Sequence, residues 1–283
     1  TPRHNAARMQ RATMRPGLSA KAERLCDEYA AAGSGADFYA MVAGPLTSEM
    51  INELLGVPST DVDEVLRVIN ILVSISTPDE VIERELDDFE RFFEVVIEEK
   101  RKNRGDDPLT DLIDRFDEGG MTFPELISFV FLLISAGYDT SANTITLSIL
   151  LLAHHRDLLE QLLADPDLYP NAVEEFLRFT TVSRTGLRRA VAPDAEPREL
   201  HGRVVNPGEG LIPFLMAANR DPEMFPEPDT IDFTRFNVKQ HLTFGHGPHQ
   251  CLGQHLAREQ MLAIIPLMVE RFKGLSLAIP FED

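Results

Sequence analysis

The chain has 283 residues, of which 43% are hydrophobic, and its formal net charge is −19. A chain of this length and composition can bury a large core, which excludes general disorder. The strong negative charge excludes sequence-independent binding to nucleic acid, because phosphate backbones need basic surfaces. An acidic surface is otherwise typical of a soluble protein and indicates no specific partner.

The two cysteines, Cys26 and Cys251, lie far apart in unlike contexts. This predicts no disulfide framework and favours a reducing compartment, the cytoplasm. The chain begins without a methionine or a charged and apolar leader, so we expect an excerpt of a longer protein. The apolar run from Phe129 to Ala136 is short and is followed at once by polar residues, so we expect no membrane span.

Helical periodicity dominates the first two thirds of the chain. Apolar residues recur three and four positions apart with charged residues between them, as at Val65, Val68 and Ile69. The stretch from Lys21 to Ala30 has the same pattern. Cys26 within it is expected to be a buried or half-buried residue without chemistry.

The clearest single element is a long helix that begins at Thr122–Glu125. A threonine followed three residues later by glutamate predicts a capping box, and Pro124 is tolerated in a first helical turn. No further proline occurs until well past His155, so the helix can run for about thirty residues, roughly 45 Å. Its apolar character predicts a position in the middle of a large domain.

The last third has a mixed pattern. Val204-Val205, the turn former Asn206-Pro207-Gly208 and the stretch from Leu211 to Met216 together predict a small hairpin. The following stretch, Asn219 to Phe236, contains three prolines and is predicted to be an ordered meander without regular structure. A last helix is predicted from about Leu252 to Phe272, with a kink expected at Pro266.

The most informative stretch runs from Phe244 to Gly253. Gly245 and Gly247 allow a tight loop that approaches a flat ligand closely. Cys251 then falls at the start of the last helix, where free N–H groups and the helix dipole favour a thiolate. A thiolate held in this way is a good soft metal ligand.

The sequence around Cys251 is compatible with two other interpretations. Four histidines lie within ten residues of it, which leaves a zinc site as an alternative; they are His241, His246, His249 and His255. Structural zinc sites usually present paired ligands such as C-x-x-C, which this chain lacks, and they need no surrounding glycines. An inert buried cysteine in a glycine-rich turn is the other alternative.

The stretch resembles the cysteine loop of the cytochrome P450 family, whose pattern is F-x-x-G-x-x-x-C-x-G. The fixed positions match at Phe244, Gly247, Cys251 and Gly253. The resemblance implies that Cys251 is the axial ligand of haem iron and that His249 meets a haem propionate. Phe244, Gly245 and Gly253 would also lie against the haem.

A second stretch in the long helix resembles the oxygen-activation segment A-G-x-D/E-T-T/S of the same family. It begins at Ala136, which with Gly137 would contact the haem. The resemblance implies that Gly137 loosens the helix and that the Thr140 hydroxyl turns from a carbonyl one turn back toward dioxygen. Asp139 would supply protons, and Thr140 and Asp139 would be the catalytic residues.

Three further pieces agree with the family's order. Glu175 and Arg178 resemble the E-x-x-R pair, which has a structural role and joins the loop before the cysteine. Arg189 matches a propionate-binding arginine, with Arg188 as an alternative. His4 and Arg8, one helical turn apart, resemble the pair that holds the other propionate, and arginine suits a buried carboxylate.

The implied fold is mainly α with a small β part, with the haem between the long helix and the cysteine loop. We expect residues 1–283 to form a single cytochrome P450 domain that lacks the family's N-terminal and C-terminal parts. The stretch from Thr180 to Thr185 is expected to line the substrate pocket, and Arg184 within it is a candidate for meeting an anionic group.

The implied function is that of a haem b monooxygenase, which inserts one oxygen atom of O₂ into a small organic substrate. A ferredoxin or flavodoxin type donor with its reductase would supply electrons, because no flavin or iron–sulfur motif occurs here. The alternatives are a haem-thiolate enzyme that uses peroxide or rearranges its substrate, and a haem-binding gas sensor without catalysis. The presence of both Asp139 and Thr140 argues against the first of these.

Overall fold

The structure is a computed structural model that describes residues 2–56, 62–74, 76–186, 189–190, 192 and 194–281, without the side chains of 2–14, 62–66, 73, 189 and 190. Two compact units make up the chain, Thr1–Thr146 and Leu147–Asp283. Each unit has its own helices and core. That the chain functions as a single domain stays a prediction.

The first unit is helical throughout its regular elements, as the apolar periodicity predicts. A π-helical turn at Tyr39–Ala43 leads directly into the second helix. The helices of this unit are α1 (Pro2–Ala32), α2 (Gly44–Leu55), α3 (Val62–Val73), α4 (Asp79–Lys102), α5 (Pro108–Asp117) and the first part of α6 (Phe123–His154).

One part of the core of the first unit lies between α4 and α6. The Phe89 ring lies 4.7 Å from that of Phe93 and 5.6 Å from that of Phe131. Phe89 and Phe93 are buried, and burial of such a side chain stabilises the fold by about 1.5–3 kcal/mol. Cys26 in α1 is also buried, as the prediction of a residue without chemistry requires.

Helix α6 begins as the sequence predicts. The backbone N–H of Thr122 donates to Glu125 Oε2 at 2.7 Å, and the N–H of Glu125 donates to Thr122 Oγ1 at 3.4 Å, which confirms the capping box. The helix contains 32 residues and is about 48 Å long. Among the described residues it is the one helix long and apolar enough to cross a membrane, a test that core helices of water-soluble proteins also pass.

The second unit is built around three packed helices. Helix α10 lies against both α8 and α7, and all three helices bury aliphatic side chains. Helix α10 continues through Pro266. The helices of this unit are α7 (Arg156–Ala164), α8 (Tyr169–Thr180), α9 (Leu215–Ala218) and α10 (Gln254–Arg271), with 3₁₀ turns at Pro166–Leu168 and Val238–Gln240.

The β part differs from the predicted hairpin. Strand β2 (Arg198–Leu200) pairs antiparallel with β3 (Arg203–Val205), while β1 (Arg189–Ala190) pairs with β4 (Gly210–Leu211). The hairpin turn is therefore at His201-Gly202, where both residues have positive φ, 47° and 78°. Two consecutive positive φ angles are the requirement of a type I′ turn, which matches the twist of the strands. The prediction that β3 pairs across Asn206–Gly208 was wrong.

The segment from Asn219 to Phe236 contains turns and bends but no helix or strand, as its prolines predict. Its backbone is ordered by hydrogen bonds such as Phe225 N–H to Asp221 O at 2.7 Å. Phe225 and Phe233 are buried and anchor it to the unit. We call this segment the meander.

Candidate functional site: a cysteine loop and a helical acid–threonine pair

The loop that carries Cys251 is bent at two glycines. Gly245 and Gly247 have φ angles of 66° and 85°, which residues with a side chain rarely adopt. The bend is closed by the Cys251 N–H, which donates to the Phe244 carbonyl at 2.9 Å, and by the Gln250 N–H, which donates to Gly247 O at 3.0 Å. The predicted tight loop is confirmed.

Cys251 lies two residues before Gly253, the N-cap of α10. The backbone N–H groups of Gly253 and Gln254 hydrogen bond to its sulfur. Burial by the surrounding loop raises the pKa of the Cys251 thiol, although the residue as a whole is exposed, while the two N–H groups and Arg258 act in the opposite direction. The N–H groups therefore favour the thiolate as predicted, but the effect of burial on the pKa is larger, so the net shift is toward the thiol.

The loop has the shape needed to lie against a flat cofactor. A Cβ atom built on Gly245 or Gly247 would meet no atom within 4 Å, so open space lies in front of both. His249 and Cys251 are exposed on the same loop. A soft sulfur donor with two N–H groups directed at it suits iron, and a bound metal ion deprotonates a thiol outright. The residues present fit a haem ligated by Cys251.

The zinc alternative lacks a set of ligands. Within the described part of the chain, no group of three or more His, Cys, Asp and Glu side chains is arranged to hold a metal ion. His241 is buried and bonded through Nε2 to Glu174 at 3.0 Å. Its Nδ1 accepts from the Thr243 N–H at 3.3 Å, so neither ring nitrogen is free for a metal.

Glu175 and Arg178 form a buried ion pair at the end of α8. Arg178 Nε donates to Glu175 Oε2 and Nη2 to Oε1, both at 2.7 Å, and neither side chain is exposed. Arg178 Nη1 also donates to the carbonyls of Asn219 and Pro228 in the meander, at 2.9 and 2.8 Å. The pair therefore has the predicted structural role, since it joins α8 to the segment before the cysteine loop.

Arg235 extends this network from the meander side. Its Nε donates to Glu175 Oε1 at 3.0 Å, and its terminal nitrogens donate to the carbonyls of Pro226 and Glu227 at 2.6 and 2.7 Å. One carboxylate thus lies between two buried guanidinium groups. The excess positive charge is balanced by meander carbonyls, because a buried charge without such partners is costly.

A second buried carboxylate, Glu174, connects α8 to α10. Arg258 Nε donates to Glu174 Oε1 at 2.7 Å and Nη2 to Oε2 at 2.9 Å, which is a fork-to-fork pair. Burial raises the pKa of Glu174, but hydrogen bonds from His241 and Arg258 outweigh it and lower that pKa to about 2. Glu174 is therefore a carboxylate at neutral pH.

In the first unit, Asp139 and Thr140 lie side by side on α6. Thr140 Oγ1 donates to the Ala136 carbonyl at 2.7 Å, the bond one turn back that the sequence predicts. Asn143 Nδ2 donates to both the Asp139 carbonyl and Asp139 Oδ1, each at 2.9 Å. The amide fixes the direction of an exposed carboxylate.

Gly137 has a packing role that the sequence interpretation missed. A Cβ atom at this position would lie 2.7 Å from Ile51 Cδ1 and 2.9 Å from Ile51 Cγ1, so a larger residue would require the Ile51 side chain to move. Tyr138, the next residue, is buried, and its hydroxyl lies 3.4 Å from that of Tyr39. Gly137 therefore lets α2 pack against the turn that precedes Asp139.

The face of α6 that carries the motif is exposed and apolar. Phe129 and Leu132 are 48% and 56% exposed, and Ala136 and Asp139 follow on the same face at helical spacing. An apolar helix face that protein does not cover can contact a ligand.

Several predicted cofactor residues lie outside the described side chains. The side chains of His4, Arg8 and Arg189 are among these, and Arg188 lies outside the described residues altogether. Arg189 belongs to β1 by its backbone. Arg184 is exposed, and its carbonyl accepts from the Met216 N–H at 3.1 Å. Their ligand roles stay predictions.

Comparison with known proteins decides the family. The family model described as Cytochrome P450 matches residues 44–277, most of the chain. The chain belongs to the cytochrome P450 family. This agrees with the mainly α architecture and confirms the resemblance seen in the cysteine loop.

Relatives within the cytochrome P450 family include Cytochrome P450 105A3 of Streptomyces carbophilus, 36% identical over 95% of this chain. The 20-oxo-5-O-mycaminosyltylactone 23-monooxygenase of Streptomyces fradiae is 32% identical over 93%. The chain spans 65% and 61% of the lengths of these two relatives. The crystal structure of the mycinamicin VIII C21 methyl hydroxylase MycCI from Micromonospora griseorubida matches at a TM-score of 0.85 and 32% identity, over 95% of this chain and 68% of its own.

Three residues that form largely buried ion pairs in the second unit of this cytochrome P450 were not predicted from the sequence. Glu174 was overlooked because it precedes the glutamate of E-x-x-R, and Arg258 because it lies one turn beyond the loop pattern. Arg235 lies in the proline-rich meander, where no periodicity indicates which side chains are buried. Only Glu174 and Arg258 offered a signal, as opposite charges close to recognised motifs.

Proposed function

We propose that this cytochrome P450 is a haem-thiolate monooxygenase that inserts one oxygen atom of O₂ into a small organic substrate. The observation that carries the proposal is the Cys251 sulfur, which is held on a glycine-bent loop with the N–H groups of Gly253 and Gln254 directed at it. The relatives named as a monooxygenase and a hydroxylase support the reaction type.

The proposed cofactor is haem b, and Cys251 would hold its iron. Bound haem supplies an iron centre that activates dioxygen once it is reduced, and a thiolate ligand favours cleavage of the O–O bond. The N–H groups at the start of α10 stabilise negative charge on the sulfur. We assign the propionates to His249, Arg189, His4 and Arg8, because cationic and N–H donors suit carboxylates.

Asp139 and Thr140 are the proposed proton-handling residues. The Thr140 hydroxyl proton is held on the Ala136 carbonyl at 2.7 Å and becomes available when the side chain rotates. Asp139 is exposed beside it, and Asn143 keeps its carboxylate in one direction. A carboxylate in contact with water can reload the hydroxyl with a proton.

The proposed substrate is a small organic molecule with an apolar part. The exposed Phe129 and Leu132, on the motif face of α6, support apolar contact. Electrons would come from a ferredoxin or flavodoxin type donor with its reductase. With Cys251 assigned to haem iron, Cys26 is the one cysteine left in the chain, too few to hold an iron–sulfur cluster.

The proposed location is the cytoplasm. Cys26 and Cys251 are not joined by a disulfide, which is typical of a reducing compartment.

The absorption spectrum of the reduced, carbon monoxide bound protein tests the proposal. We expect a Soret band shifted far to the red, which reports a thiolate ligand. Cys251→Ser should lose this band, whereas Cys26→Ala, which changes the other and buried cysteine, should keep it. An unshifted band in the wild type, or an unchanged spectrum in Cys251→Ser, would overturn the proposal. Turnover with a reductant then separates an enzyme from a gas sensor.

A further inference from the structure

Arg258 touches the cysteine loop on both sides of Cys251. On one side its guanidinium carbon lies over the Phe244 ring, 4.5 Å from the ring centroid. Phe244 is the residue whose carbonyl accepts the Cys251 N–H at 2.9 Å. A guanidinium over an aromatic face is attractive by about 0.5–2 kcal/mol. The contact therefore fixes the residue that closes the bend of the loop.

On the other side Arg258 holds Gln254. Arg258 Nη1 donates to the Gln254 carbonyl at 3.0 Å and to Gln254 Oε1 at 3.2 Å. The backbone N–H of Gln254 is one of the two that hydrogen bond to the Cys251 sulfur. The first residue of α10 is thus tied by the same guanidinium that covers Phe244.

Glu174 determines where this guanidinium lies. It binds Arg258 through both carboxylate oxygens and is itself held by His241 at 3.0 Å. Glu174 is 6% exposed, so water does not compete effectively for its oxygens. Because Glu174 belongs to α8, which also carries the buried Glu175–Arg178 pair, Arg258 is held against a helix that is itself bonded to the meander.

We propose that Glu174 and Arg258 are positioning residues for the haem ligand: Glu174 fixes the Arg258 guanidinium, which in turn fixes Phe244 and Gln254, the neighbours of the Cys251 sulfur. The inference rests on the proposed ligation of haem by Cys251.

The residue types suit this role. A guanidinium binds a carboxylate with two parallel hydrogen bonds, lies flat on an aromatic ring and keeps a further nitrogen for a third partner. A lysine at position 258 would keep the charge but lose this planar, three-way geometry. Arg258→Lys therefore separates position from charge.

The test uses the haem-loaded protein and three variants, Glu174→Gln, Arg258→Lys and the control Glu160→Gln. Glu160 lies in the same unit in an exposed ion pair with Arg156. The reduced, carbon monoxide bound spectrum is recorded at urea concentrations below unfolding, with circular dichroism to verify that the protein is folded. We expect Glu174→Gln and Arg258→Lys to raise the ratio of the unshifted to the red-shifted Soret form about tenfold, corresponding to about 1.4 kcal/mol. Glu160→Gln should match the wild type.

A purely structural role predicts a different result. If both variants melt at lower temperature but keep the wild-type Soret ratio while folded, the inference is overturned and the proposed haem ligation stands. If the wild type itself shows no red-shifted band, the haem ligation fails and the inference fails with it. A raised ratio in both variants, with the wild type and Glu160→Gln unchanged, supports the inference.

Discussion

Glu175 and Arg178 form a two-point ion pair in which neither side chain is exposed to solvent. Loss of buried hydrogen bonds to a charged group costs about 1.5–3 kcal/mol. We expect Arg178→Lys to lower the free energy of unfolding by an amount in this range, because an ammonium cannot replace the bonds to Glu175 and to the meander carbonyls. Urea unfolding followed by circular dichroism measures the effect.

The matched control is Arg156→Lys in the same unit. Arg156 pairs with Glu160 at 3.1 Å and donates to the Lys273 carbonyl, but the Arg156 and Glu160 side chains are 52% and 63% exposed. Exposed pairs contribute only about 0–1 kcal/mol, so this variant should unfold close to the wild type. Equal effects of the two arginine changes would show that the buried network has no special role.

The ion pair illustrates what sequence could and could not predict. Glu and Arg three apart on a helix are common surface partners, so their spacing gave no reason to expect complete burial. The structural role was predicted because the pair lies, in sequence, between the Ala136–Thr140 segment and the cysteine loop. The third partner, Arg235, could not be predicted, because its placement depends on how the meander folds back over α8.

Thr140→Ala tests the proposed proton handling on α6. The variant removes the hydroxyl held on the Ala136 carbonyl, so we expect the rate of product formation to fall about a hundredfold. Oxygen uptake should fall less, because binding and reduction of dioxygen do not need this proton. The measurement is product formed per dioxygen consumed, with a reductant and a reductase partner.

Thr146→Ala is a control of the same residue type on the same helix. Thr146 Oγ1 donates to the Ala142 carbonyl at 2.8 Å, the same bond one turn back. Loss of an ordinary helical back-bond should leave the product yield unchanged. If both threonine variants lowered the yield equally, Thr140 would have no specific role in proton handling.

Gly137→Ala is expected to destabilise the first unit. The new Cβ would lie 2.7 Å from Ile51 Cδ1, and such overpacking typically costs about 1–3 kcal/mol. In an Ile51→Ala background the obstacle is gone, and the better helix propensity of alanine should make Gly137→Ala stabilising by up to about 1 kcal/mol. Melting temperatures of the wild type, the two single variants and the double variant show whether the effect of Gly137→Ala changes sign. If Gly137→Ala were equally destabilising with and without Ile51→Ala, the steric explanation would be contradicted.

The sequence did not predict the packing role of Gly137 or the pairing of the strands, and the reason is the same in both cases. Each depends on a partner distant in sequence: Ile51 lies on α2, and β4 pairs with β1 rather than β3. Periodicity and caps are local signals, so they predicted α6 and its capping box correctly. The cysteine loop was predictable for the same reason, since its glycines, its cysteine and the following helix are contiguous.

Glu174 gives the fold a defined dependence on pH. Its pKa is lowered from 4.5 to about 2 by hydrogen bonds from His241 and Arg258. A lowered carboxylate pKa adds stability that is fully present above the unfolded value and is lost as the pH falls through the folded value. The shift sets an upper limit of about 3 kcal/mol. We expect Glu174→Gln to be less stable than the wild type at neutral pH.

The difference between the two proteins should shrink as the pH falls through the window from 4.5 to about 2, because the wild-type carboxylate becomes protonated there. Urea midpoints measured down through this window give the difference at each pH. Glu160→Gln, which removes an exposed carboxylate of the same unit, should follow the wild type throughout. A stability difference that stayed constant as the pH fell would show that the glutamine variant loses packing or hydrogen-bond geometry and not a stabilised charge.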